Sequence, residues 1–87
     1  MTADDALRDV NGYAAAWRIA FSPHARQRMR QRNARPADVR HALMTASSCT
    51  SSRDGGGRWV VPGIDLDGDE LVAVVAFEAG LLVVTIF

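Results

Sequence analysis

The feature that most constrains the fold of this chain is a basic segment with strong helix signals, residues 22–32. Ser22 is a favourable helix N-cap, and Pro23 at the first helical position gives up only an N–H that would have no helical partner. At about 100° per residue, Ala25 and Met29 fall on one narrow apolar side. The segment therefore predicts a helix that buries a thin stripe and exposes its basic side chains.

Five residues of this helix can bind anions, namely His24, Arg26, Arg28, Arg30 and Arg32. His24 and Arg28, four residues apart, share a face that has Arg32 at its edge. Arg26 and Arg30 point towards solvent. No acidic residue stands four positions away, so the arginines repel one another and predict an anionic partner, either nucleic acid or an acidic protein segment. The alternative interpretation is an ordinary solvated helix face.

The charge of the chain is balanced overall but unevenly distributed. Its 87 residues have a formal net charge of zero. Residues 18–40 hold seven arginines and one acid, Asp38, whereas residues 61–87 hold five acids and no base. We therefore expect one domain with a basic and an acidic surface.

The cysteine content and the apolar pattern bear on location. The single cysteine, Cys49, cannot form an intramolecular disulfide, and we expect no reactive role for it. The sequence shows no signal segment and no apolar run of membrane-spanning length. We therefore expect a cytoplasmic protein without a membrane partner.

The N-terminal region predicts a helix followed by a short strand. Apolar residues recur at helical spacing in residues 3–16, and Asn11-Gly12 interrupts the pattern, so we expect a helix that can break there. Residues 1–16 are accordingly a separate N-terminal helix or a mobile arm. Residues 17–21 alternate bulky and smaller side chains, which is typical of a strand.

A second helix start lies at Pro36, with Asp38 in the first turn. Apolar residues follow at helical spacing, namely Val39, Ala42, Leu43 and Ala46. Because only a few residues join the two helices, they should form an antiparallel hairpin or a sharp elbow.

The C-terminal half predicts antiparallel strands. Residues 59–66 form an edge or bulged strand, because the proline within them cannot donate to a ladder. Asp67-Gly68 indicates a hairpin, and residues 71–77 are apolar enough for a central strand buried on both faces. Residues 81–87 return as the last strand. With the helices on one face of this sheet, the fold class is α+β.

Nothing in the sequence indicates a metal or cofactor site. Residues 65–70 contain closely spaced acids but lack the span and the terminal acid of a calcium loop, so we interpret them as a hairpin turn. Residues 54–57 predict a flexible turn. No Cys/His set has zinc spacing. We therefore expect any catalysis to proceed without a metal or cofactor.

Two residues other than the arginines are candidates for chemistry. His24 is the better candidate for proton transfer, because histidine exchanges protons near neutral pH. Its alternative role is a local contact at the helix start. Thr85 is either an ordinary strand residue or, if its strand lies under a helix, a hydroxyl directed at the same anion site.

With these residues in view, the chain resembles a family of small bacterial domains of largely unassigned function. The shared pattern is a strand, a helix with His-Ala-x-x-Arg-Met-x-x-Arg, a second helix, a Gly-Arg strand, an Asp-Gly hairpin and a strand ending Val-Thr-x-aromatic. The matching residues are His24-Ala25, Arg28-Met29, Arg32, Gly57-Arg58, Asp67-Gly68 and Val84-Thr85-Ile86-Phe87. The family is similar to RelE/ParE-type toxins of the barnase–EndoU–colicin–RelE group of ribonucleases.

The resemblance spans residues 17–87 and implies a two-helix hairpin packed on a curved antiparallel sheet of three to five strands. It also implies a toxin of a toxin–antitoxin system that cleaves RNA without a metal, by attack of the 2′-OH on the adjacent phosphate. The implied catalytic residues are His24, Arg28, Arg32 and Thr85. The implied substrate-binding residues are Arg26, Arg30, Arg35 and Arg58.

The partners that the resemblance implies are an acidic antitoxin segment and an RNA substrate, with or without the ribosome. Two alternatives remain open. One is a non-catalytic module that binds nucleic acid or protein, and the other is a ParE-like toxin that targets a topoisomerase. Arg35 departs from the family pattern, in which Ser or Thr opens the second helix, so a cap is lost and positive charge is gained.

Overall fold

The computed structural model describes residues 1–53 and 56–87 and has an α+β fold of three helices and one five-stranded sheet. In chain order the elements are α1 (Ala3–Ala15), β1 (Ile19–Phe21), α2 (Pro23–Gln31), α3 (Pro36–Met44), β2 (Thr50–Ser51), β3 (Trp59–Ile64), β4 (Glu70–Phe77) and β5 (Leu81–Ile86). The predicted fold class is confirmed. Of the turn predicted at residues 54–57, positions 54 and 55 lie outside the described residues.

The sheet is mixed, with the strand order β1-β5-β4-β3-β2. Strands β3, β4 and β5 form the predicted antiparallel meander, and β2 pairs with β3 in the antiparallel sense. Strand β1 instead lies parallel to β5, with Ile19 opposite Leu81 and Phe21 opposite Val83. The sheet departs from the antiparallel expectation at this edge. A parallel neighbour requires a long crossover, which the chain from α2 to β4 supplies.

The helices pack on one face of the sheet, where a single core cluster joins them to it. Leu71, Ala73 and Val75 of β4 are buried there. The residues that alternate with them are only half-buried, so the prediction that this strand is buried on both faces is wrong. The second side, called the open face below, includes Val60, Pro62, Ile64, Glu70, Val72, Val74, Ala76, Leu82 and Thr85, with Thr50 at the β2 edge.

The predicted break in α1 does not occur. The helix runs through Asn11 and Gly12, and it buries Ala6, Val10 and Ala14 completely. The amide of Asn11 donates to the carbonyls of Leu43 at 2.7 Å and Ala46 at 3.2 Å, so it satisfies the C-terminal end of α3. This segment is therefore a docked helix and not a mobile arm.

Of the two arrangements predicted for α2 and α3, an antiparallel hairpin or a sharp elbow, the contacts of the helices favour the elbow. Helix α2 lies over β5 and β1, α3 lies over β3 and β4, and α3 packs along α1. Asn33 follows the C-cap of α2 and has a φ of 56°, in the left-handed region that commonly terminates helices. The helix that packs along α3 is therefore α1 and not α2.

An acid three residues into α3 replaces the missing cap at Arg35. Asp38 Oδ2 accepts the backbone N–H of Arg35 at 2.9 Å and its Nε at 3.3 Å. Asp38 is 3% exposed, and its other oxygen accepts the N–H of Leu66 at 3.4 Å. The Arg35 N–H is the main cause that lowers the pKa of Asp38, and it outweighs the opposing effect of burial.

Candidate functional site

The arginines of α2 have no acidic partner within residues 1–53 and 56–87. The ion pairs in that part of the chain lie elsewhere and are Arg8–Asp5, Arg8–Asp9 and Arg35–Asp38. Arg26 and Arg30 are exposed, whereas Arg28 and Arg32 are half-buried. Four uncompensated guanidinium charges thus lie within about two turns of one helix, which favours an anionic ligand.

Two side chains of the α2 region complete the edge of β5. Strand β1 pairs with β5 only as far as Val83. Beyond that point, the Ser22 hydroxyl donates to the Val84 carbonyl at 2.6 Å, and Arg28 Nε donates to the Ile86 carbonyl at 3.1 Å. Arg28 therefore supports the fold, and the terminal nitrogens of its guanidinium retain four N–H groups for a ligand.

Arg28 and Arg32 line a shared cavity of about 260 Å³, together with Gln31 and Phe87. Arg32 donates to the main-chain carbonyl of Glu70 at 2.8 Å. Main-chain oxygens thus hold both guanidinium groups in place. A concave site with two fixed guanidinium groups suits a phosphate-bearing ligand, because their planar donors match phosphate oxygens.

Two residues of this cavity, Gln31 and Phe87, were not among the predicted site residues. Phe87 is the one that lies outside the basic helix. Phe87 is 53% exposed, and its backbone exchanges two hydrogen bonds of 2.8 Å with Val72. The sequence feature that could have indicated Phe87 is the aromatic position at the end of the family pattern, which Phe87 occupies. Only the packing of β5 against α2 shows that this position adjoins the arginines.

The structure does not bring His24 and Thr85 into this cavity. His24 is exposed at the second position of α2, one turn before Arg28. Thr85 stands opposite Val74 on the open face, away from the helices. Its hydroxyl lies 3.5 Å from the carbonyl of Ile86. Thr85 could direct its hydroxyl at the arginine site only if it lay under a helix. Because it does not, Thr85 is not part of that site.

Arg58 lies at a second cavity, of about 570 Å³, on the open-face side of the sheet. Ala76 and Leu82 of the open face line this cavity, together with Ser22 and Glu78. The sequence-predicted residues therefore divide between two sides of the molecule. Arg28 and Arg32 are together, whereas Arg58 and Thr85 belong to the other side.

The remaining predicted arginines differ in how much of their charge is available. Arg30 is exposed, and the Arg26 guanidinium lies 6.0 Å from the centre of the Phe21 ring. Arg35 forms its ion pair with Asp38, and its hydrogen bond to that carboxylate raises the pKa of Arg35. The charge of Arg35 is thus partly compensated, while those of Arg26 and Arg30 are not.

The acidic hairpin forms a turn, as its sequence predicts. Asp65 Oδ1 accepts the N–H groups of Asp67 and Asp69, each at 2.9 Å. Carboxylate oxygens of Asp38, Asp65 and Asp67 lie within 4.8 Å of one another, and they are the described residues best placed to hold a cation. Asp38 and Asp65 already accept hydrogen bonds from the protein, so these carboxylates serve the turn and the start of α3.

Cys49 is buried, and its thiol lies 3.3 Å from the carbonyl of Ala3. Burial raises the pKa of the Cys49 thiol, with a smaller contribution from the negative charge of Asp4. A raised pKa lowers the fraction of reactive thiolate. This agrees with the expectation that the cysteine has no reactive role.

Comparison with known proteins gives a family but no named relative. No curated protein matches the chain, and no solved structure matches it. No helix in the described ranges is both long and apolar enough to cross a bilayer. A family model described as a domain of unknown function, DUF4258, matches residues 21–87, from the end of β1 through the last strand. This match leaves α1 outside and covers most of the chain, which therefore belongs to the DUF4258 family.

Proposed function

We propose that this domain is a RelE/ParE-like toxin of a toxin–antitoxin system and acts as a metal-independent ribonuclease that binds RNA along α2. The observation that carries the proposal is the pair of guanidinium groups of Arg28 and Arg32. Main-chain carbonyls fix both of them around one cavity, on a helix whose charges have no acidic partner among the described residues. The segment from His24 to Arg32 carries the helix motif of a domain family that is similar to such toxins, and this resemblance supports the same assignment.

In the proposed reaction, the 2′-oxygen of the RNA attacks the adjacent phosphorus and the 5′-oxygen leaves. The products are a cyclic phosphate and a 5′-OH end. The substrate supplies its own nucleophile, so the protein needs only proton transfer and charge stabilisation. His24 either takes the proton of the attacking 2′-OH or gives a proton to the leaving 5′-oxygen, and solvent water makes the other transfer. Arg28 and Arg32 donate N–H groups to the phosphoryl oxygens. Thr85 and Arg58 are left out because they lie on the other side of the sheet.

Product analysis tests this mechanism directly. Single-stranded RNA incubated with the protein should acquire 5′-OH ends and cyclic phosphate or 3′-phosphate ends. His24→Ala should abolish cleavage with little loss of RNA affinity, and Arg32→Ala should reduce both. Arg8→Ala is the matched control, because Arg8 has a 74% exposed side chain and lies outside α2. Undiminished cleavage by His24→Ala would remove His24 from the mechanism.

Salt dependence tests the RNA-binding surface independently of cleavage. If four arginines of α2 contact phosphates of a single strand, the slope of log affinity against log salt should be about −3. Replacing Arg26 or Arg30 by alanine should lower its magnitude by about 0.7. A slope that is the same in the wild type and in these variants would place the RNA elsewhere.

The proposed partner is an antitoxin that neutralises α2 with Asp and Glu side chains, on a helix or on a segment that orders on binding. Expression of the domain alone in the bacterial cytoplasm should arrest growth. Co-expression of such an antitoxin should relieve the arrest and give a complex that survives purification. A domain that is harmless when expressed alone would contradict the toxin assignment.

A second candidate function is RNA binding without chemistry. It is favoured by the placement of His24 and Thr85, neither of which lines the cavity of Arg28 and Arg32. The RNA affinity of a binding module would still depend steeply on salt. The RNA would, however, stay intact after long incubation with a high concentration of the protein. The end-group analysis therefore separates the two candidates.

A further inference from the structure

Two non-glycine residues with left-handed backbone conformations meet at one small cavity. Trp17 has a φ of 57° and Ala79 has a φ of 52°, and both line a cavity of about 240 Å³ beside the turn from β4 to β5. Within residues 1–53 and 56–87, Asn33 is the third such residue. Residues held in this region cluster at ligand sites, because the surrounding structure must maintain the strain. The cavity is therefore a candidate binding site separate from the arginine helix.

Trp17 occupies a position at which glycine is usual. Helix α1 ends in a Schellman motif, in which the N–H of Trp17 donates to the carbonyl of Ala14 at 3.1 Å. The N–H of Arg18 completes the motif by donating to the carbonyl of Tyr13 at 2.9 Å. The left-handed residue of this motif is most often glycine, because a Cβ is disfavoured there. A tryptophan at this position costs stability, which indicates that the indole ring itself has a use.

The indole ring of Trp17 is fixed on one side and accessible on the other. The guanidinium of Arg40 lies 4.6 Å from the centre of the ring, and its hydrogen bonds to the carbonyls of Ala14 and Ala15 hold it there. Trp17 is nevertheless 52% exposed. An aromatic ring that is held by a cation on one face and open on the other suits a planar ligand, and nucleobases stack on such rings.

Two groups of opposite charge share the cavity with Trp17, namely Arg18 and Glu78. The guanidinium of Arg18 lies 5.2 Å from the centre of the Tyr13 ring and donates to the carbonyl of Ala79 at 3.4 Å. Glu78 is exposed, and the ion pairs of the described ranges do not include it. The cavity therefore offers N–H donors and carboxylate acceptors beside an aromatic face.

Backbone contacts hold the two sides of the cavity together. The N–H of Leu81 donates to the carbonyl of Arg18 at 2.9 Å. Gly80 permits this close approach, since a Cβ there would lie 3.0 Å from the same carbonyl oxygen. The turn that carries Glu78 is thus packed directly against Arg18, so the charged groups are positioned before a ligand binds.

The combination of groups fits guanine better than other ligands. Guanine has N–H donors at N1 and N2, which suit the carboxylate of Glu78, and acceptors at O6 and N7, which suit the guanidinium of Arg18. Adenine carries an amino donor where guanine has O6, so it would face Arg18 with the wrong group. A charged peptide would meet one group of its own sign. The cavity is also smaller than the roughly 300–1,000 Å³ of pockets for drug-sized ligands, so it suits a single base.

We propose that Trp17, Arg18 and Glu78 form a binding site for a guanine base. The base stacks on the open face of the indole, Glu78 accepts its N–H groups, and Arg18 donates to its O6. The guanine belongs either to single-stranded RNA or to a free nucleotide, which share this chemistry. The site is separate from the cavity of Arg28 and Arg32, and it does not depend on the proposed ribonuclease function.

The indole N–H resonances of the full chain report on the site, because the sequence contains two tryptophans. In a titration with GMP, the resonance of Trp17 should shift, whereas that of Trp59 in β3 should not. Trp17→Phe assigns the two resonances. GMP should bind about tenfold more tightly than AMP, which is the discrimination expected of one bidentate contact to a base.

Two variants test the proposed contacts, with calorimetry as the measurement. Trp17→Gly removes the ring at a position whose backbone suits glycine, so it should fold and lose GMP binding. Glu78→Gln changes an exposed side chain and should remove the preference for GMP over AMP. Asp69→Asn is the matched control, because it removes the same charge from an exposed acid in the β3–β4 turn. It should bind GMP like the wild type.

Short RNAs distinguish the two sources of guanine. If the guanine belongs to RNA, the wild type should bind UUUGUUU more tightly than UUUAUUU, and Trp17→Gly should remove the difference. Equal affinity for the two RNAs, with GMP binding retained, would assign the site to a free nucleotide.

Three results would each overturn the proposal. They are a Trp17 resonance that GMP does not shift, equal affinity of the wild type for GMP and AMP, and GMP binding that both Trp17→Gly and Glu78→Gln leave unchanged. Because none of these measurements is of RNA cleavage, failure of the guanine site would leave the proposed ribonuclease function standing.

Discussion

At the scale of single residues, Arg28 combines a role in the fold with a proposed role in binding. Its Nε satisfies the Ile86 carbonyl, so Arg28→Ala should lower the free energy of unfolding by about 1 kcal/mol. Arg30 is exposed on the same helix, and Arg30→Ala should leave stability within about 0.5 kcal/mol of the wild type. Both variants should bind RNA less tightly. Urea denaturation measures the difference, and equal stability of the two variants would contradict the structural role of Arg28.

Asp38 should make the stability of the domain depend on pH in the acid range. Its pKa is lower in the folded chain than in the unfolded chain, so its contribution is present above about pH 4 and is lost as pH falls through the folded pKa. Asp38→Asn should cost about 2 kcal/mol near neutral pH, because it removes a charge-assisted acceptor. The difference in free energy of unfolding between the variant and the wild type should decrease as the pH falls. A gap that is constant with pH would show that the charge of Asp38 contributes nothing.

At the scale of elements, close packing of β3 against α3 depends on a glycine. A Cβ on Gly63 would lie 2.5 Å from the carbonyl oxygen of Ala42, which belongs to the helix backbone and cannot rotate away. Gly63→Ala should therefore destabilise the domain by about 2 kcal/mol. Gly12→Ala is the matched control, because a Cβ at this exposed helical position meets nothing within 4 Å. It should stabilise by up to about 1 kcal/mol, and thermal unfolding of both variants checks the opposite signs.

The elements that local signals specify were predictable from the sequence. Ser22-Pro23 and Pro36 begin the two central helices, and Asp67-Gly68 turns the β3–β4 hairpin. Local signals did not predict the continuity of α1, because Asn11 is held in the helix by carbonyls at the end of α3. They also missed the parallel pairing of β1, a strand of three residues whose partner lies far along the chain.

The candidate site was predictable only in part, because local signals place residues along a helix but do not determine how distant strands pair. Helical spacing placed Arg28 and Arg32 near each other, and the structure joins them at one cavity. The side of the sheet on which Thr85 lies depends on the register between β4 and β5, which contains an irregularity at Val74/Val75. A shift of one residue moves a side chain to the opposite face, so sequence alone could not place Thr85 beside the helix or away from it.

At the scale of the whole molecule, α1 belongs to the core although it lies outside the segment that defines the family. The family match begins at residue 21, yet α1 buries Ala6, Val10 and Ala14 and covers one side of α3. Arg40 of α3 donates to the carbonyls of Ala14 at 3.0 Å and Ala15 at 2.9 Å, so each of these two helices satisfies the end of the other.

Removal of residues 1–16 should therefore destabilise the domain rather than trim it. The loss of buried apolar surface and of the reciprocal hydrogen bonds should cost at least about 3 kcal/mol, a large part of the 5–15 kcal/mol typical of small domains. Asn11→Ala removes only the hydrogen bonds of Asn11 to the end of α3, so it should lower the free energy of unfolding by about 1 kcal/mol. Urea denaturation of the full chain, of Asn11→Ala and of residues 17–87 should show decreasing midpoints in that order. If residues 17–87 unfold at the midpoint of the full chain, α1 is an accessory to a core that is complete without it.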